Sequence, residues 1–282
     1  MSETLSAPAA NQAETVVHNA GYDFVPPAEM RLDVIADAVK KDGFSTAGIL
    51  VRGFLCTAFL GNAATLSALL VTQGWPSAAA GLAFPVGYVM LAFLGLEMAT
   101  GSFSVMPIGV YAGRVRAAGA ARNWFWTYTG NFIGGLFFSA LLWFALTKGG
   151  LVAAEGVLTT LSHIAEKKVS YEHYGASGWF AAVAMGVLCN WLVSLAPIIA
   201  KGSRSVVGKI VLMWLPVATF FALGFEHSIV NLFVFPISML SGAQISIGEW
   251  WLWNQIPVTL GNILGAFIFN STLWNFSQKP KD

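Results

Sequence analysis

The sequence predicts an all-α integral membrane protein with six transmembrane helices, arranged as two inverted repeats of three spans each. The first observation is composition: of the 282 residues, 56% are hydrophobic and 10% are charged, against roughly 45–50% and about 25% in soluble domains. The second is long uncharged stretches, and the third is an internal repeat. The composition excludes a disordered chain, a disulfide-rich secreted domain and an ordinary soluble enzyme.

Neither net charge nor cysteine content indicates a specialised partner. The formal net charge is +1, which gives no electrostatic basis for binding nucleic acid. Cys56 and Cys189 lie in apolar runs and are interpreted as small core residues. His163 and His173 lack the spacing of metal ligands, and we predict neither a metal nor a cofactor.

The chain is expected to divide into four parts. Residues 1–25 are polar and are expected to form a flexible cytoplasmic tail without a signal peptide. Residues 26–43 carry apolar side chains at helical spacing, which predicts an amphipathic helix lying on the membrane surface or under the bundle. The six-span domain is expected over 44–276, followed by a second cytoplasmic tail over 277–282.

The six spans follow from the uncharged stretches, because a membrane-crossing helix needs about 20 mostly apolar residues. Two apolar segments are too long for one straight span, and each has an acidic residue near its middle, Glu97 or Glu226. We interpret both segments as broken helices. The predicted spans are 47–72, 77–113 (broken near 95–102), 122–147, 176–200, 206–240 (broken near 224–229) and 250–275.

The basic residues predict the orientation. All of the 15 Lys and Arg residues except Lys148, Lys167 and Lys168 fall on one side of this arrangement, and these three lie in the loop 148–174. Basic residues are retained on the cytoplasmic side of a membrane. We therefore expect a multi-pass protein of the cell inner (plasma) membrane with both termini in the cytoplasm.

The two halves of the chain repeat each other at offsets of 128, 129 and 131 residues. Because the repeat unit has three spans, the second copy inserts upside down, and both helix breaks meet near the bilayer centre. Half-helix amino ends there can offer N–H groups to an anion, which indicates a channel or transporter. The matching segments are Gly61-Asn62 with Cys189-Asn190, Gly95-Leu96-Glu97-Met98 with Gly224-Phe225-Glu226-His227, and Gly130-Asn131-Phe132-Ile133-Gly134 with Gly261-Asn262-Ile263-Leu264-Gly265.

Five motifs in order along the chain carry a resemblance to a known family. They are Gly95–Gly101, Asn123-Trp124 with Gly130–Gly134, Cys189–Ala196, Gly224–Phe233 and Ile256–Ile263. Together they resemble the signatures of the formate/nitrite transporter family over about residues 27–276. The resemblance implies an aquaporin-like protomer with broken helices two and five, assembled as a homopentamer and without enzymatic activity. Each protomer would carry its own pore for small monovalent anions such as formate, nitrite or hydrosulfide.

The same resemblance assigns roles to individual residues. It implies that His227 is the central pore histidine and that Thr100 and Asn190 hydrogen-bond around it. Lys168 resembles the lysine of the outer vestibule, although it lies farther from Asn190 than the family pattern places it. Residues at positions that narrow the pore are Phe84, Tyr88, Met98 and Phe220, with Tyr88 and Met98 standing where leucines are usual.

The chemistry expected at His227 follows from the cost of moving an anion into hydrocarbon. The pore can offset this cost by supplying a cation or a proton, and a histidine can supply either. We hypothesise that the anion shares or takes a proton near His227 and crosses the apolar slit as the neutral acid. This mechanism favours anions that are conjugate bases of weak acids. Separately, the stretch 251–262 is more similar to nitrite-assimilation members of the formate/nitrite transporter family than to fermentative formate members.

Other polar and aromatic residues receive structural interpretations. Glu97 and Glu226 are expected to accept loop N–H bonds and pin the breaks, because a permanent anion on the path would oppose anion entry. The glycine pairs at 130/134 and 261/265 are interpreted as close helix contacts. An interfacial aromatic belt is predicted at Trp250, Trp251 and Trp253.

Several alternatives remain open at the sequence level. Bicarbonate or hydrosulfide could be the substrate of a channel of the same family. A water or neutral-solute channel would share the architecture, although the chain has no Asn-Pro-Ala. An intramembrane enzyme using His227 and Glu226 has no nucleophile–base set, metal motif or phosphate loop to support it. An ion-coupled carrier would differ from a channel in strict proton coupling.

Overall fold

The structure, a computed structural model, describes residues 23–279. Most of the tail expected over 1–25, and residues 280–282 of the second tail, lie outside the described residues. Ten helices account for most of the described chain. They are α1 (Pro27–Asp42), α2 (Thr46–Thr72), α3 (Ser77–Phe93), α4 (Ala99–Tyr111), α5 (Ala117–Leu146), α6 (Val157–Val169), α7 (Gly175–Ile199), α8 (Val206–Ala222), α9 (Ser228–Leu240) and α10 (Ile247–Ser277).

Helix length and composition agree with an integral membrane protein. Among the described residues, four helical stretches are long and apolar enough to cross a membrane: α2, α5, the stretch Val157–Gly202 that contains α7, and α10. Helices α3, α8 and α9 are apolar but shorter. At 1.5 Å per residue α3 is ~25 Å long, less than the ~30 Å of a hydrocarbon core. Helix α3 is therefore too short to cross the core by itself.

Both predicted interruptions are present, and both begin with the same local signal. The first separates α3 from α4 over Leu94–Met98, and the second separates α8 from α9 over Leu223–His227. Gly95 and Gly224 have φ values of +65° and +69°, the left-handed conformation in which glycine ends a helix. The first break is shorter than the expected 95–102, because α4 already begins at Ala99.

The closest helix contacts occur at small residues. A Cβ atom added to Gly130 of α5 would lie 2.6 Å from the Leu50 carbonyl oxygen of α2. The equivalent Gly261 of α10 meets the Val183 carbonyl of α7 in the same way. The interpretation of these glycines as close contacts is therefore confirmed, and α2 packs on α5 as α7 packs on α10.

The loop expected over 148–174 contains a helix that the sequence analysis missed. Helix α6 buries Leu158, Leu161, Ser162 and Ala165 at helical spacing and packs on α9, much as α1 packs on α4. The charged residues of this segment are typical of a solvated loop. The spacing of its apolar residues Leu158, Leu161 and Ala165 is that of an amphipathic helix.

The chain leading into α1 is attached to the turn between α7 and α8. The Val25 amide donates to the Gly202 carbonyl at 2.9 Å, and the Asp23 carboxylate accepts the amides of Arg204 (2.9 Å) and Ser205 (2.8 Å). Residues 23–25, which the sequence analysis placed in the tail, are therefore held against the domain. Hydrogen bonds from the Ser205 amide and the Ser203 hydroxyl lower the pKa of Asp23.

Candidate functional site at the two helix breaks

A hydrogen bond between two buried side chains joins the two breaks. The ring Nε2 of His227 lies 3.0 Å from the hydroxyl oxygen of Thr100. His227 is the N-cap residue of α9 and is 3% exposed, and Thr100 is the second residue of α4 and is fully buried. Residues separated by 127 positions in the chain therefore meet at the amino ends of two half-helices.

The second ring nitrogen of His227 fixes the tautomer. Nδ1 accepts the backbone N–H of Val230 at 3.1 Å, so in a neutral ring the proton is on Nε2. Nε2 then donates to the oxygen of Thr100. The hydroxyl proton of Thr100 remains available to donate to a further acceptor.

Asn190 of α7 lies beside this pair. Its amide nitrogen donates to the backbone carbonyls of Thr100 (3.0 Å) and Asn262 (2.7 Å). Within residues 23–279 its carbonyl oxygen is buried and has no hydrogen-bond partner. Because a buried acceptor without a partner is costly, this oxygen is a candidate group for receiving a proton-bearing solute.

Aromatic rings cover one side of the histidine. The ring centroid of Phe220 lies 5.6 Å from that of His227, and Phe84 packs edge-on against Phe220 at 5.7 Å. Phe84 also stacks on Phe221 at 4.0 Å. Phe84 and Phe220 are each 1% exposed, so this side of the site is apolar and tightly closed.

Tyr88 and Met98, the other two residues at predicted constrictions, are also buried, and both line a cavity of about 270 Å³. The hydroxyl of Tyr88 donates to the Val193 carbonyl at 3.4 Å. The wall of this cavity also includes Lys41 of α1 and Glu97 of the first break.

An asparagine fixes the backbone at each break. Asn131 of α5 donates to the carbonyls of Gly53 (2.8 Å) and Glu97 (3.0 Å), and its own carbonyl accepts the amide of Ala99 (3.0 Å). The equivalent bonds of Asn262, on α10, go to Gly186 (2.8 Å), Glu226 (2.9 Å) and Ser228 (2.8 Å). Each amide ties the end of a break to the first long helix of its half.

The two glutamates have a different role from the one expected of them. The carboxylate of Glu97 binds the ammonium of Lys41 at 2.6 and 2.7 Å, and that of Glu226 binds Lys168 at 2.7 Å. The backbone bonds that pin the breaks are made by Asn131 and Asn262, as described above. The physical reason is burial. A glutamate side chain that is 4% or 5% exposed needs an opposite charge, whereas a neutral amide satisfies backbone groups without one.

Lys168 reaches this position from α6, with 17% of its side chain exposed. The resemblance had placed it in an outer vestibule, and its ammonium lies on the Glu226 carboxylate, one residue before the histidine. Asn231 donates to the same carboxylate at 3.0 Å. The second break is therefore surrounded by paired charge and amide groups.

Four polar residues near the breaks were not predicted from the sequence: Lys41, Asn231, Asn254 and Gln255. Asn254 and Gln255 are fully buried and lie in the first two turns of the sixth predicted span. Uncharged polar side chains inside an apolar span were the available signal, because such groups need partners in a bilayer. In the described part of the chain no cluster of His, Cys, Asp or Glu could hold a metal ion.

Comparison with known proteins decides the family. The formate/nitrite transporter family model matches residues 28–276. The chain belongs to the formate/nitrite transporter family. The resemblance drawn from the sequence motifs is thereby confirmed, and the protein is an integral membrane protein.

Individual members of the formate/nitrite transporter family match over most of the chain. A Methanothermobacter thermautotrophicus protein named "Probable formate transporter" is 31% identical over 269 residues, which covers 90% of this chain and 97% of that protein. The Haemophilus influenzae formate channel FocA is 35% identical over 209 residues, covering 67% of this chain and 69% of that protein. A solved pentameric formate channel with formate bound has a TM-score of 0.65 at 25% identity, covering 79% of this chain and 94% of that chain. These relatives are transporters and channels, so this chain is a transport protein and not an enzyme.

Proposed function

We propose that the protein is a membrane channel for small monovalent anions of weak acids, formate or nitrite, in which the anion shares a proton at His227. The observation that carries the proposal is the bond between His227 and Thr100, a buried ionisable ring placed where the two helix breaks meet. Ionisable groups at such depth are costly, and where they occur they mark functional sites. The names of the relatives, a formate transporter and formate channels, support the substrate class.

The two halves of the chain form an inverted repeat in this proposal. Matching contacts support it: Lys41 with Glu97 and Lys168 with Glu226, and likewise the three bonds of Asn131 and of Asn262. An inverted repeat turns the amino ends of α4 and α9 toward the bilayer centre from opposite sides. Their dipoles then favour an anion between the breaks.

The hydrogen bonds of His227 limit how the proton can be supplied. Nδ1 accepts the Val230 amide, so an added proton on Nδ1 would oppose an N–H group instead of binding it. Giving up the Nε2 proton alone would leave an imidazolate, which is strongly unfavourable. The ring therefore shares its proton through Thr100, whose hydroxyl donates to the anion. For full transfer, the ring first takes a second proton from water on Nδ1 and loses the bond to Val230. The Nε2 proton then passes through Thr100 to the anion and leaves the ring neutral.

The apolar constrictions explain why weak acids are selected. The constrictions have few polar groups that could replace the water molecules around an ion, so an isolated ion there has a large desolvation cost. They are formed by Phe84, Tyr88, Met98 and Phe220. Formate and nitrite lose that charge on protonation. Nitrate and chloride are anions of strong acids and remain charged, so they are excluded.

The cavity at the first break provides the entry for the anion. Its lining includes three lysines and two carboxylates, which leaves an excess of positive charge that raises the local concentration of anions. Each carboxylate is paired with a lysine, Glu97 with Lys41 and Asp37 with Lys201. These ion pairs keep the carboxylates from repelling an incoming anion. The lining residues concerned are Lys40, Lys41, Lys201, Asp37 and Glu97.

Assembly and location complete the proposal. The solved relative is a pentamer, and we infer a homopentamer for this chain. The bias of basic residues toward one side supports an inner (plasma) membrane location with both termini in the cytoplasm. Exposed aromatic side chains along α5, including Phe125, Phe137 and Phe144, are then available to contact lipid or a neighbouring protomer.

The test is a flux panel with purified protein in proteoliposomes. Formate, nitrite, bicarbonate, hydrosulfide and nitrate are compared at two pH values, together with a swelling assay for water and neutral solutes. We expect formate and nitrite flux that follows the gradient, with little nitrate flux. His227→Phe is expected to abolish or invert anion selectivity while leaving the oligomer intact. His163→Phe, on the exposed face of α6, is the matched control.

The outcomes separate the alternatives. Unchanged formate and nitrite flux in His227→Phe would defeat the mechanism. Preference for bicarbonate or hydrosulfide would move the protein to another substrate of the same family. Solute flux without anion flux would establish a neutral-solute channel, and strict one-to-one coupling to protons would establish a carrier.

A further inference from the structure

Helix α10 departs from regular geometry beside the second break. Over Trp251–Gln255 it forms a π-helical turn, in which the Ile256 amide bonds to the Trp251 carbonyl five residues back. Pro257 explains the turn, because it lacks the N–H that would bond to residue 253 and its ring crowds that carbonyl. Single π turns often occur at functional sites.

The turn delivers two consecutive, fully buried amides to the same break. Asn254 donates to the Lys168 carbonyl at 3.0 Å and lies 3.3 Å from the Glu226 carboxylate. Gln255 donates to the Ser228 carbonyl at 3.1 Å. Together these amides contact the residues on either side of His227.

All hydrogen-bonding groups of the Gln255 side chain have partners. Its nitrogen donates to Ser228 and to the hydroxyl of Tyr128 (2.6 Å), and its oxygen accepts the indole N–H of Trp250 (3.0 Å). An indole can only donate and a carbonyl can only accept, so the amide has one permitted orientation. Trp250, which the sequence placed in an interfacial belt, is 4% exposed and instead anchors this amide.

The peptide groups of Ser228 are thereby held at both ends. Asn262 accepts its N–H at 2.8 Å, and Gln255 donates to its carbonyl. Ser228 directly follows His227 and begins α9, whose Val230 amide bonds to the ring. Fixing Ser228 therefore fixes the distance between that amide and Nδ1, and with it the direction of Nε2.

We propose that Gln255 is a positioning residue for His227, acting through the Ser228 carbonyl to keep the ring in the Nε2–H tautomer directed at Thr100. Gln255 does not touch the permeating anion in this proposal. The inference rests on the proposed function, because a fixed tautomer matters to transport only if the ring shares its proton.

The test uses Gln255→Met, which keeps the side-chain volume and removes all three hydrogen bonds. Solid-state ¹⁵N spectra of histidine-labelled protein report the tautomer, and His227→Phe assigns the signal by subtraction. We expect the wild-type protein to show one Nε2–H tautomer and Gln255→Met to show a mixture. Formate flux should fall about five- to tenfold, the size expected for losing a hydrogen bond that orients a group.

A second variant tests the same contact in case Gln255→Met does not fold. Trp250→Phe leaves Gln255 in place and keeps a ring stacked on Phe235, but it removes the indole donor. It should change tautomer and flux in the same direction and to a smaller extent. Gln244→Met is the matched control, because Gln244 donates only to the Gly242 carbonyl in an exposed loop.

A single tautomer with wild-type flux in Gln255→Met would overturn the inference, as would reduced flux with the tautomer unchanged. Either result leaves the proposed function intact if His227→Phe still loses selectivity. Conversely, wild-type flux in His227→Phe would defeat the proposed function, whatever the spectra show.

Discussion

The ammonium of Lys168 lies 2.7 Å from the carboxylate of Glu226, the residue immediately before His227. The equivalent pair in the first half, Lys41 with Glu97, has a distance of 2.6 Å. Each lysine comes from the last turn of a short amphipathic helix outside the long spans, α6 or α1. Helices α1 and α6 therefore each contribute a charged residue to the site.

Breaking this pair on one side should destabilise the protein. Lys168→Met leaves the Glu226 carboxylate, 5% exposed, without its cation, and we expect a loss of about 3 kcal/mol. Adding Glu226→Gln should restore most of that loss, because a neutral amide oxygen can still accept from Asn231. Thermal unfolding of the detergent-solubilised oligomer measures both changes. Lys167→Met, at the exposed neighbouring position, is the control, and an equal loss there would contradict the prediction.

Removing the Thr100 hydroxyl, which accepts the hydrogen bond from Nε2 of His227, should impair transport more than folding. Thr100→Val keeps the side-chain shape and the backbone carbonyl that binds Asn190, but Nε2 of His227 loses its partner. We expect formate and nitrite flux to fall about tenfold. This is the effect of losing one buried hydrogen bond on the rate of proton sharing with the anion. Thr129→Val, which removes a hydroxyl bonded within its own helix, should leave flux unchanged. Similar flux in the two variants would argue against the relay through Thr100.

Widening the aromatic wall should relax size selection. Phe220 packs against both His227 and Phe84, so Phe220→Ala opens space next to the ring. We expect increased leak of acetate and lactate in the liposome assay, together with a stability loss of about 3–5 kcal/mol. Phe180→Ala, at a residue that is 67% exposed, controls for the loss of a phenyl ring. A decrease in leak would show that the constriction lies elsewhere.

The attachment of residues 23–25 should be insensitive to pH near neutrality. Asp23 has a folded-state pKa below its ordinary value of 3.8, so its stabilising bonds are fully present above that value and are lost only as pH falls through the lowered pKa. Hydrogen exchange at the amides of Val25, Arg204 and Ser205, corrected for intrinsic rates, should therefore show constant protection between about pH 5 and 8. Asp23→Asn should reduce protection throughout that range. A protection loss in the wild-type protein between pH 7 and 5 would contradict the assignment.

The positions of the long helices could be predicted because they depend on local properties of the chain. An uncharged run of about 20 residues predicts helices such as α2 and α5 without any knowledge of what they contact. The two breaks were also predictable, because Gly95 and Gly224 each precede an acidic residue within an apolar segment. Helix α6 was missed, since its few apolar positions lie among charges that are typical of a solvated loop.

The sequence by itself determined the family, the apolar helices, the two breaks and, through the family resemblance, the expectation that Thr100 hydrogen-bonds to His227. Only the tertiary structure decided the other contacts: lysines for the two glutamates, asparagines for the backbone of the breaks, and Gln255 for the Ser228 carbonyl. The physical reason is that hydropathy and helix-ending signals act within a few residues of the chain. Hydrogen bonds and ion pairs in a buried site instead join groups far apart in the chain, 127 positions for Thr100 and His227, and they depend on which helices pack together.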